Sequence, residues 1–379
     1  MTGFKSLYDS GNLAVILGAH YANGNLSHDV SKAIWYKADP LLTGVSDGWM
    51  GRSLDDLCFG QNNPVPAVNV ARSLHPIFFG RTATLSFTSV SDLRIPANPL
   101  QRPEQQAPLV QTFTTIYEQL ANSANGFVQS WASAGYAVAS RMDAYRTVSS
   151  AGASNLNALI NGAPDHPIAA PTPQRYSLAT SLRLVYALLR GAQPGDQPLG
   201  CRIFRVGIGG FDTHSDQGKH IPLSQKPLNQ KVQENFPNEL HGKLLHQVDK
   251  AITAFWRDLE EANLHRNTLI MTFTEFGRRI AENGNNDPDT GTDHGTASPV
   301  FVVGPTKSQS QVGSFVAGGV YGAYPELHLP DRNGNMVYTV DFRHVYGEVM
   351  TRWLGLSETS TNHILGSGGF TYQPLDFLG

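Results

Sequence analysis

Short apolar runs that end in glycine or polar residues recur along the chain and predict buried strands. They cover residues 13–18, 202–208, 268–273 and 299–304. Runs of this length with β-branched residues are typical of strands covered on both faces. The pattern therefore predicts the sheet of an α/β fold.

Between these runs, apolar residues recur at spacings of three and four and predict helices. The predicted helices cover residues 28–35, 178–189 and 240–264, and one or two long helices are expected within 108–148. In the second half of the chain, the order strand, helix, strand predicts parallel strands joined by a right-handed crossover. We expect a single domain over 1–379, with a helical insertion at about 101–190.

Length and charge narrow the class of protein. The chain has 379 residues, 28 basic and 31 acidic side chains and a net charge of −3. A nucleic-acid binder or a polybasic membrane-surface protein needs concentrated positive charge, so we expect neither partner. No run approaches the roughly 20 apolar residues that cross a bilayer, so we expect no membrane span. No apolar signal-peptide core follows Met1, which leaves a cytoplasmic location open.

Cys58 and Cys201 fit neither a disulfide framework nor a CxxC metal knuckle, since both need more thiols or closer spacing. A single bridge between them stays open at this point. The cysteines therefore do not fix the redox compartment.

Ionisable side chains follow two predicted strands and precede a third, where open α/β sheets form their sites. Three separate predicted loops carry them: Asp212 and His214 follow the strand at 202–208, Glu275 follows the strand at 268–273, and Asp293-His294 precedes the last strand. Side chains two residues apart in an extended loop point the same way, so Asp212 and His214 could bind one cation. The competing interpretation is an ordinary turn with a surface histidine. Mixed oxygen and nitrogen ligands suit zinc, manganese or iron better than calcium.

Ser27 has two interpretations, as the N-cap of the helix at 28–35 or as a nucleophile at the positive end of that helix. A nucleophilic hydroxyl needs activation by a metal or by a base such as His28. Arg52, Arg278 and Arg279 are candidates to pair with an anionic substrate, although an exposed arginine commonly stays solvated.

The ordered set of motifs resembles one known family. The segments are Leu13-Ala-Val with Ser27-His28, then Gly48-Trp-Met-Gly-Arg52, Gly209-Gly-Phe-Asp-Thr-His214, Thr274-Glu-Phe-Gly-Arg-Arg279 and Gly291-Thr-Asp-His-Gly295. Together they resemble the domain-of-unknown-function family 1501, over about residues 7–355. That family looks like a branch of the alkaline-phosphatase and sulfatase superfamily. The resemblance implies a doubly wound, mostly parallel sheet sandwiched by helices and a two-metal hydrolytic site.

Carried over by position, the resemblance makes Asp212, His214 and His294 metal ligands, with Glu275 as the acidic ligand and Asp293 beside them. Ser27 falls roughly at the nucleophile's position. Three departures stand out. Phe276 occupies a position where superfamily members often have histidine, and the usual first strand with its acidic ligand is missing. Neither cysteine matches the Cys-x-Pro-x-Arg pattern of formylglycine sulfatases.

These observations favour a metal-dependent hydrolase of phosphate or sulfate esters. Zinc or manganese is the expected metal, and the expected partner is a small anionic ester or a sulfated or phosphorylated glycan. His28, Ser27, Arg52 and Arg278 are the expected catalytic residues. The alternative is a non-catalytic envelope or glycan-binding protein on a degenerate hydrolase fold. By resemblance, the location would be periplasmic or secreted. A serine esterase is set aside, because Gly366-Ser-Gly-Gly369 lacks the Gly-x-Ser-x-Gly spacing.

Overall fold

The computed structural model describes residues 1–57, 66–92, 106–123, 152–161, 177–191, 202–215, 240–284 and 290–379, together with positions 128, 132, 135, 136 and 217. The helices of these parts are α1 Thr2–Asp9, α2 His28–Lys37, α3 Trp49–Asp56, α4 Gln106–Ala121, α5 Ser154–Ile160, α6 Ser177–Arg190, α7 Leu240–Glu261, α8 Phe342–Glu348 and α9 Glu358–Leu365. The strands are β1 Leu13–His20, β2 Ala67–Asn69, β3 Thr84–Ser86, β4 Ile203–Arg205, β5 Ile270–Met271, β6 Gly277–Glu282, β7 Thr292–Gly295, β8 Ser298–Val303, β9 Gly319–Tyr321 and β10 Val340–Asp341.

The strands form a central sheet, a small sheet and a hairpin. The central sheet has the order β10-β1-β8-β5, and β9 also pairs with β1. The small sheet has the order β3-β2-β4 with both pairs parallel. The hairpin consists of β6 and β7.

Strand β1 separates two hydrophobic cores. Ala14 and Ile16 face one core, which also contains side chains of α2, α3, α8 and α9. Leu13 and Val15 face the other core, with side chains of α1, α5, α6 and α7. Strand β8 alternates in the same way, because successive side chains of a strand point to opposite faces. Apolar side chains are needed on both faces, which explains the uninterrupted apolar run in β1.

The predicted α/β class is confirmed, whereas the expected parallel arrangement holds only in part. Strand β8 runs antiparallel to both β1 and β5 in the central sheet, and β9 and β10 run parallel to β1. Strands β4 and β5 do not form the predicted parallel pair, since β4 pairs with β2 and β5 with β8. The chain passes from β5 to β8 through the β6–β7 hairpin. Antiparallel strands need no helical crossover, so this hairpin is enough to connect β5 to β8.

Most predicted elements appear with shifted ends. The run at 13–18 extends to residue 20, and the helix at 28–35 extends to Lys37. Within 101–190, the described residues contain α4, α5 and α6, and α5 and α6 pack on α7. Cys58 and Cys201 lie outside the described residues. In the part of the chain that is described, no helix has the length and apolarity needed to cross a membrane.

Buried carboxylates of α7 hold two other helices by their N-termini. Asp249 accepts hydrogen bonds from the backbone of Gly3 and Phe4 at 3.2 and 2.7 Å. Asp258 accepts from the backbone of Asn155 and Leu156 at 2.9 and 3.0 Å. The first N–H groups of a helix have no acceptor within it, and a negative charge there is favourable. Helix α7 thereby fixes α1 and α5 in the second core.

A third buried carboxylate, at the end of α8, holds the last residues of the chain. Glu348 is fully buried and accepts backbone hydrogen bonds from Leu375, Asp376 and Leu378. Burial raises the pKa of this carboxyl, and the hydrogen bonds counteract that rise. The segment therefore docks against α8 through a single charged side chain.

We expect Glu348→Ala to lower the free energy of unfolding by about 3 kcal/mol, because three backbone donors lose their acceptor. Urea denaturation followed by circular dichroism measures the change. The exposed Glu326 supplies the matched control, whose alanine variant should change stability by less than about 0.5 kcal/mol. Equal stability of the two variants would contradict the docking role of Glu348.

Candidate functional site

Three segments that are distant in the chain converge at one place beyond the strands. Asp212 and His214 lie in the segment after β4, and His28 is the first residue of α2. Arg278 and His294 lie opposite each other in the β6–β7 hairpin. The rings of His214 and His294 have centroids 4.6 Å apart, and those of His28 and His294 are 4.4 Å apart. The structure thus brings together His214 and His294, which the sequence placed in separate loops, and adds His28 from the predicted helix.

Two of the three predicted loops form strands. The segments around Arg278 and His294 pair with each other as β6 and β7. A side chain at Gly295 would bring a Cβ to 2.5 Å from the carbonyl carbon of Arg278, so only glycine fits the close approach. The third segment stays a loop, and Gly210 within it has a φ of 96°. The loop prediction for the hairpin was wrong because its glycine-rich, polar sequence lacks the apolar alternation of a strand.

Asp212 is the centre of the cluster. Its Oδ1 lies 2.8 Å from His294 Nε2, 3.0 Å from His214 Nε2 and 3.1 Å from Arg278 Nη1. Its Oδ2 lies 3.1 Å from His28 Nε2. We call His28, His214 and His294 around Asp212 the imidazole cluster. Each of its three rings directs the same atom, Nε2, at one carboxylate.

The other nitrogen of each ring faces an acceptor. His294 Nδ1 lies 2.7 Å from the backbone carbonyl of Leu26. His28 Nδ1 lies 2.8 Å from Glu275 Oε1, and His214 Nδ1 lies 3.1 Å from Asp293 Oδ1. Carbonyl and ionised carboxylate oxygens only accept hydrogen bonds, so each Nδ1 must donate. Each neutral ring therefore presents an unprotonated Nε2 to Asp212.

This arrangement places the lone pairs of imidazole nitrogens and of a carboxylate oxygen close to one another. The Nε2 atoms of His214 and His294 are only 2.9 Å apart, and Asp212 Oδ1 lies within 3.0 Å of both. A cation or a proton among them would relieve the repulsion. Imidazoles anchored through Nδ1 with Nε2 converging beside a carboxylate are a common metal-ligand arrangement. Suitable ligand atoms of His28, Asp212 and His294 all lie within 4.8 Å of one another, so these residues could hold a metal ion.

The three carboxyl groups of the site are held in the ionised form. Partial burial raises the pKa of Asp212, but its contacts with His294, His28 and Arg278 lower it well below its usual value. Hydrogen bonds from His214 and Asn283 lower the pKa of Asp293. For Glu275, burial raises the pKa and hydrogen bonds, including one with His28, outweigh that effect.

Phe276 packs against the imidazole cluster. Its ring is buried, and its centroid lies 4.2 Å from that of His294 and 4.9 Å from that of His28. Phe276 therefore fixes the orientation of two imidazoles by packing.

Ser27 and Arg52 lie differently from the cluster residues. Ser27 is exposed at the N-cap of α2, and its side chain makes no capping hydrogen bond. Arg52 donates to three backbone carbonyls, those of Asp47, Lys37 and Ile364. Ser27 directly precedes the cluster residue His28 in the chain. Arg52 instead ties α2, α3 and α9 together.

Sequence reasoning missed two groups that help to orient the rings, the backbone carbonyl of Leu26 and the side-chain amide of Asn283. The carbonyl of Leu26 bears no side-chain signal, and Asn283 lies outside the quoted motifs. Asn283 donates to the carbonyl of His214 at 2.8 Å and to Asp293 Oδ1 at 3.3 Å. Asn283 directly follows β6, the strand before the segment with Asp293. That position was the signal for Asn283 that the sequence offered.

Residues 197–366 match the sequence model of a family described as Protein of unknown function (DUF1501). The match confirms the predicted family resemblance over this part of the chain. It includes Asp212, His214, Glu275, Arg278, Asp293 and His294, whereas Ser27, His28 and Arg52 precede it. No curated protein and no solved structure matched the chain.

We expect Gly295→Ala to destabilise the protein by about 1–3 kcal/mol, because the added methyl group collides with the backbone of Arg278. Thermal unfolding measures the loss. Gly209→Ala is the control, since a Cβ there meets no atom within 4 Å. If both variants melt at the same temperature, close packing of the hairpin does not require a glycine.

Proposed function

We propose that this protein is a metal-dependent hydrolase of phosphate or sulfate esters, on a fold related to the alkaline-phosphatase and sulfatase superfamily. One observation carries the proposal: three imidazole Nε2 atoms converge on the Asp212 carboxylate while each Nδ1 is held by an acceptor. A cluster that serves only stability has no need to fix three imidazoles in the same tautomer. A cation needs an unprotonated nitrogen on each ring that binds it, and a proton on Nδ1 leaves Nε2 available.

The proposed ligands are Asp212 and the three histidines of the imidazole cluster. Glu275 and Asp293, which the sequence suggested as ligands, are assigned instead to orienting His28 and His214, because each contacts an Nδ1 atom. His28 is assigned as a ligand rather than as a base, since both of its nitrogens are engaged. Nitrogen and carboxylate ligands suit zinc or manganese.

The side chains around the cluster fit an anionic ester. A bound cation would polarise the ester oxygen and lower the pKa of the Ser27 hydroxyl or of a water molecule. Arg278 donates to Asp212 through Nη1 and to Thr292 through Nε, and its Nη2 lacks an acceptor among the described residues. That remaining donor is suited to a phosphoryl or sulfuryl oxygen. Arg52 is not part of this proposal, because its donors are occupied by backbone carbonyls.

The experiment that tests the proposal is metal binding by chelator-treated protein, measured by calorimetry with zinc and with manganese. We expect the wild type to bind and His294→Ala to lose at least about a hundredfold in affinity, because a ligand is removed. The control is His363→Ala, which changes an exposed histidine of α9 and should bind like the wild type.

The metal-loaded wild type should then hydrolyse an aryl phosphate or an aryl sulfate, and His294→Ala should not. Absence of metal binding in the wild type would exclude the proposal. Metal binding without turnover of either ester would favour the non-catalytic glycan-binding alternative.

The orienting role of Asp293 has its own expected outcome. Asp293→Asn should reduce metal affinity by about 10- to 100-fold without abolishing binding, since the amide no longer fixes the His214 ring as a carboxylate does. Calorimetry on apo-protein measures this, and the exposed Asp9→Asn serves as the control. A complete loss of binding would instead identify Asp293 as a direct ligand.

A further inference from the structure

A second group of polar side chains continues from the imidazole cluster along α2. His28, Lys32 and Tyr36 are four residues apart and share one face of the helix. Lys32 Nζ lies 3.7 Å from Glu275 Oε1, the same atom that His28 contacts. Tyr36 packs its ring on His75, with centroids 4.3 Å apart. This helix face thus connects the cluster to a region two turns away.

Arg205, at the end of β4, is the charged residue of that region. Its Nη1 donates to Asn69 Oδ1 at 3.3 Å, and Asn69 is fully buried. Its Nε is buried and has no acceptor, and Arg205 pairs with no carboxylate among the described residues. A partly buried guanidinium without a counter-charge is costly, so an anion there would be stabilised. Burial also lowers the pKa of Arg205, and Tyr36 counteracts this.

The neighbours of Arg205 are hydrogen-bond donors. His75 Nδ1 accepts from the backbone N–H of Ile77 at 3.3 Å, which leaves its Nε2 as the protonated, donating nitrogen. Burial and the charge of Arg205 lower the pKa of His75 to about 3, so the ring stays neutral. Tyr36 adds a hydroxyl and Lys32 an ammonium group. We call Lys32, Tyr36, His75 and Arg205 the donor cluster.

We infer that the donor cluster binds a second oxyanion of the substrate, beside the ester group held at the imidazole cluster. Guanidinium, ammonium and neutral N–H or O–H donors without an acidic partner at Arg205 are the groups that recognise phosphate, sulfate or carboxylate. Glu275, between the two clusters, separates the two anions. The inference rests on the proposed function and narrows its substrate class.

The helix sets the spacing between the two anions. Tyr36 follows His28 by eight residues, which corresponds to about 12 Å along α2 at the rise of an α-helix. A substrate that engages both clusters is therefore elongated and carries two oxyanion groups, as an oligosaccharide with sulfate, phosphate or carboxylate groups on separate sugar units does.

The test uses chelator-treated full-length protein and sodium sulfate as the probe, at constant ionic strength. Binding is measured by calorimetry and by the sulfate-dependent rise in melting temperature. We expect the wild type to bind sulfate and Arg205→Gln to bind it at least roughly tenfold more weakly. Arg332→Gln, which changes an exposed arginine, should bind like the wild type.

Tyr36→Phe removes a single hydroxyl and decides the question if Arg205→Gln does not fold. A severalfold weaker binding of sulfate by Tyr36→Phe supports the inference. Unchanged binding in both variants, or no binding by the wild type, overturns it. Loss of binding in Arg278→Gln with Arg205→Gln unaffected also overturns it, because the anion would then occupy the imidazole cluster. Since the probe needs neither metal nor turnover, failure of the proposed hydrolase activity would be seen separately.

Discussion

The contact on which this site depends is the convergence of three imidazoles and one guanidinium on the carboxylate of Asp212. Nε2 of each imidazole and Nη1 of Arg278 lie within 3.1 Å of this one carboxylate. Each imidazole also has its far nitrogen fixed by an acceptor, so no ring can turn without losing a hydrogen bond. One side chain, that of Asp212, therefore couples the positions of α2, the segment after β4 and the β6–β7 hairpin.

The mixed sheet serves this convergence. A helical crossover between β5 and β8 would have placed a helix where the hairpin lies. The hairpin instead carries Arg278 and His294 on paired strands, at a register set by Gly277 and Gly295. Phe276 then closes the apolar side of the cluster. The β6–β7 hairpin and the ring of Phe276 both position imidazoles.

Elsewhere in the molecule, buried charges have hydrogen-bonding partners that explain them. Asp249, Asp258 and Glu348 accept backbone hydrogen bonds from distant segments and fix them. Arg343 forms an ion pair with Asp341 at 2.7 Å and lies over the ring of Phe370. Arg205 has the neutral Asn69 as the partner of its Nη1, and its Nε has no acceptor among the described residues.

The sequence by itself determined the elements that depend on local pattern. The apolar run of β1 was predictable because burial on both faces requires apolar residues at successive positions. The amphipathic face of α7 was predictable because burial on one face of a helix leaves a periodic apolar pattern in the chain. It also indicated Asp212, His214 and His294 as candidates, since their residue types and their positions beside predicted strands are visible without a fold. The antiparallel direction of β8, the ring contacts of His28 and the carbonyl of Leu26 at His294 were decided by tertiary structure alone. These features arise from contacts between segments far apart in the chain, and backbone groups and strand direction leave no mark on the local pattern of side chains.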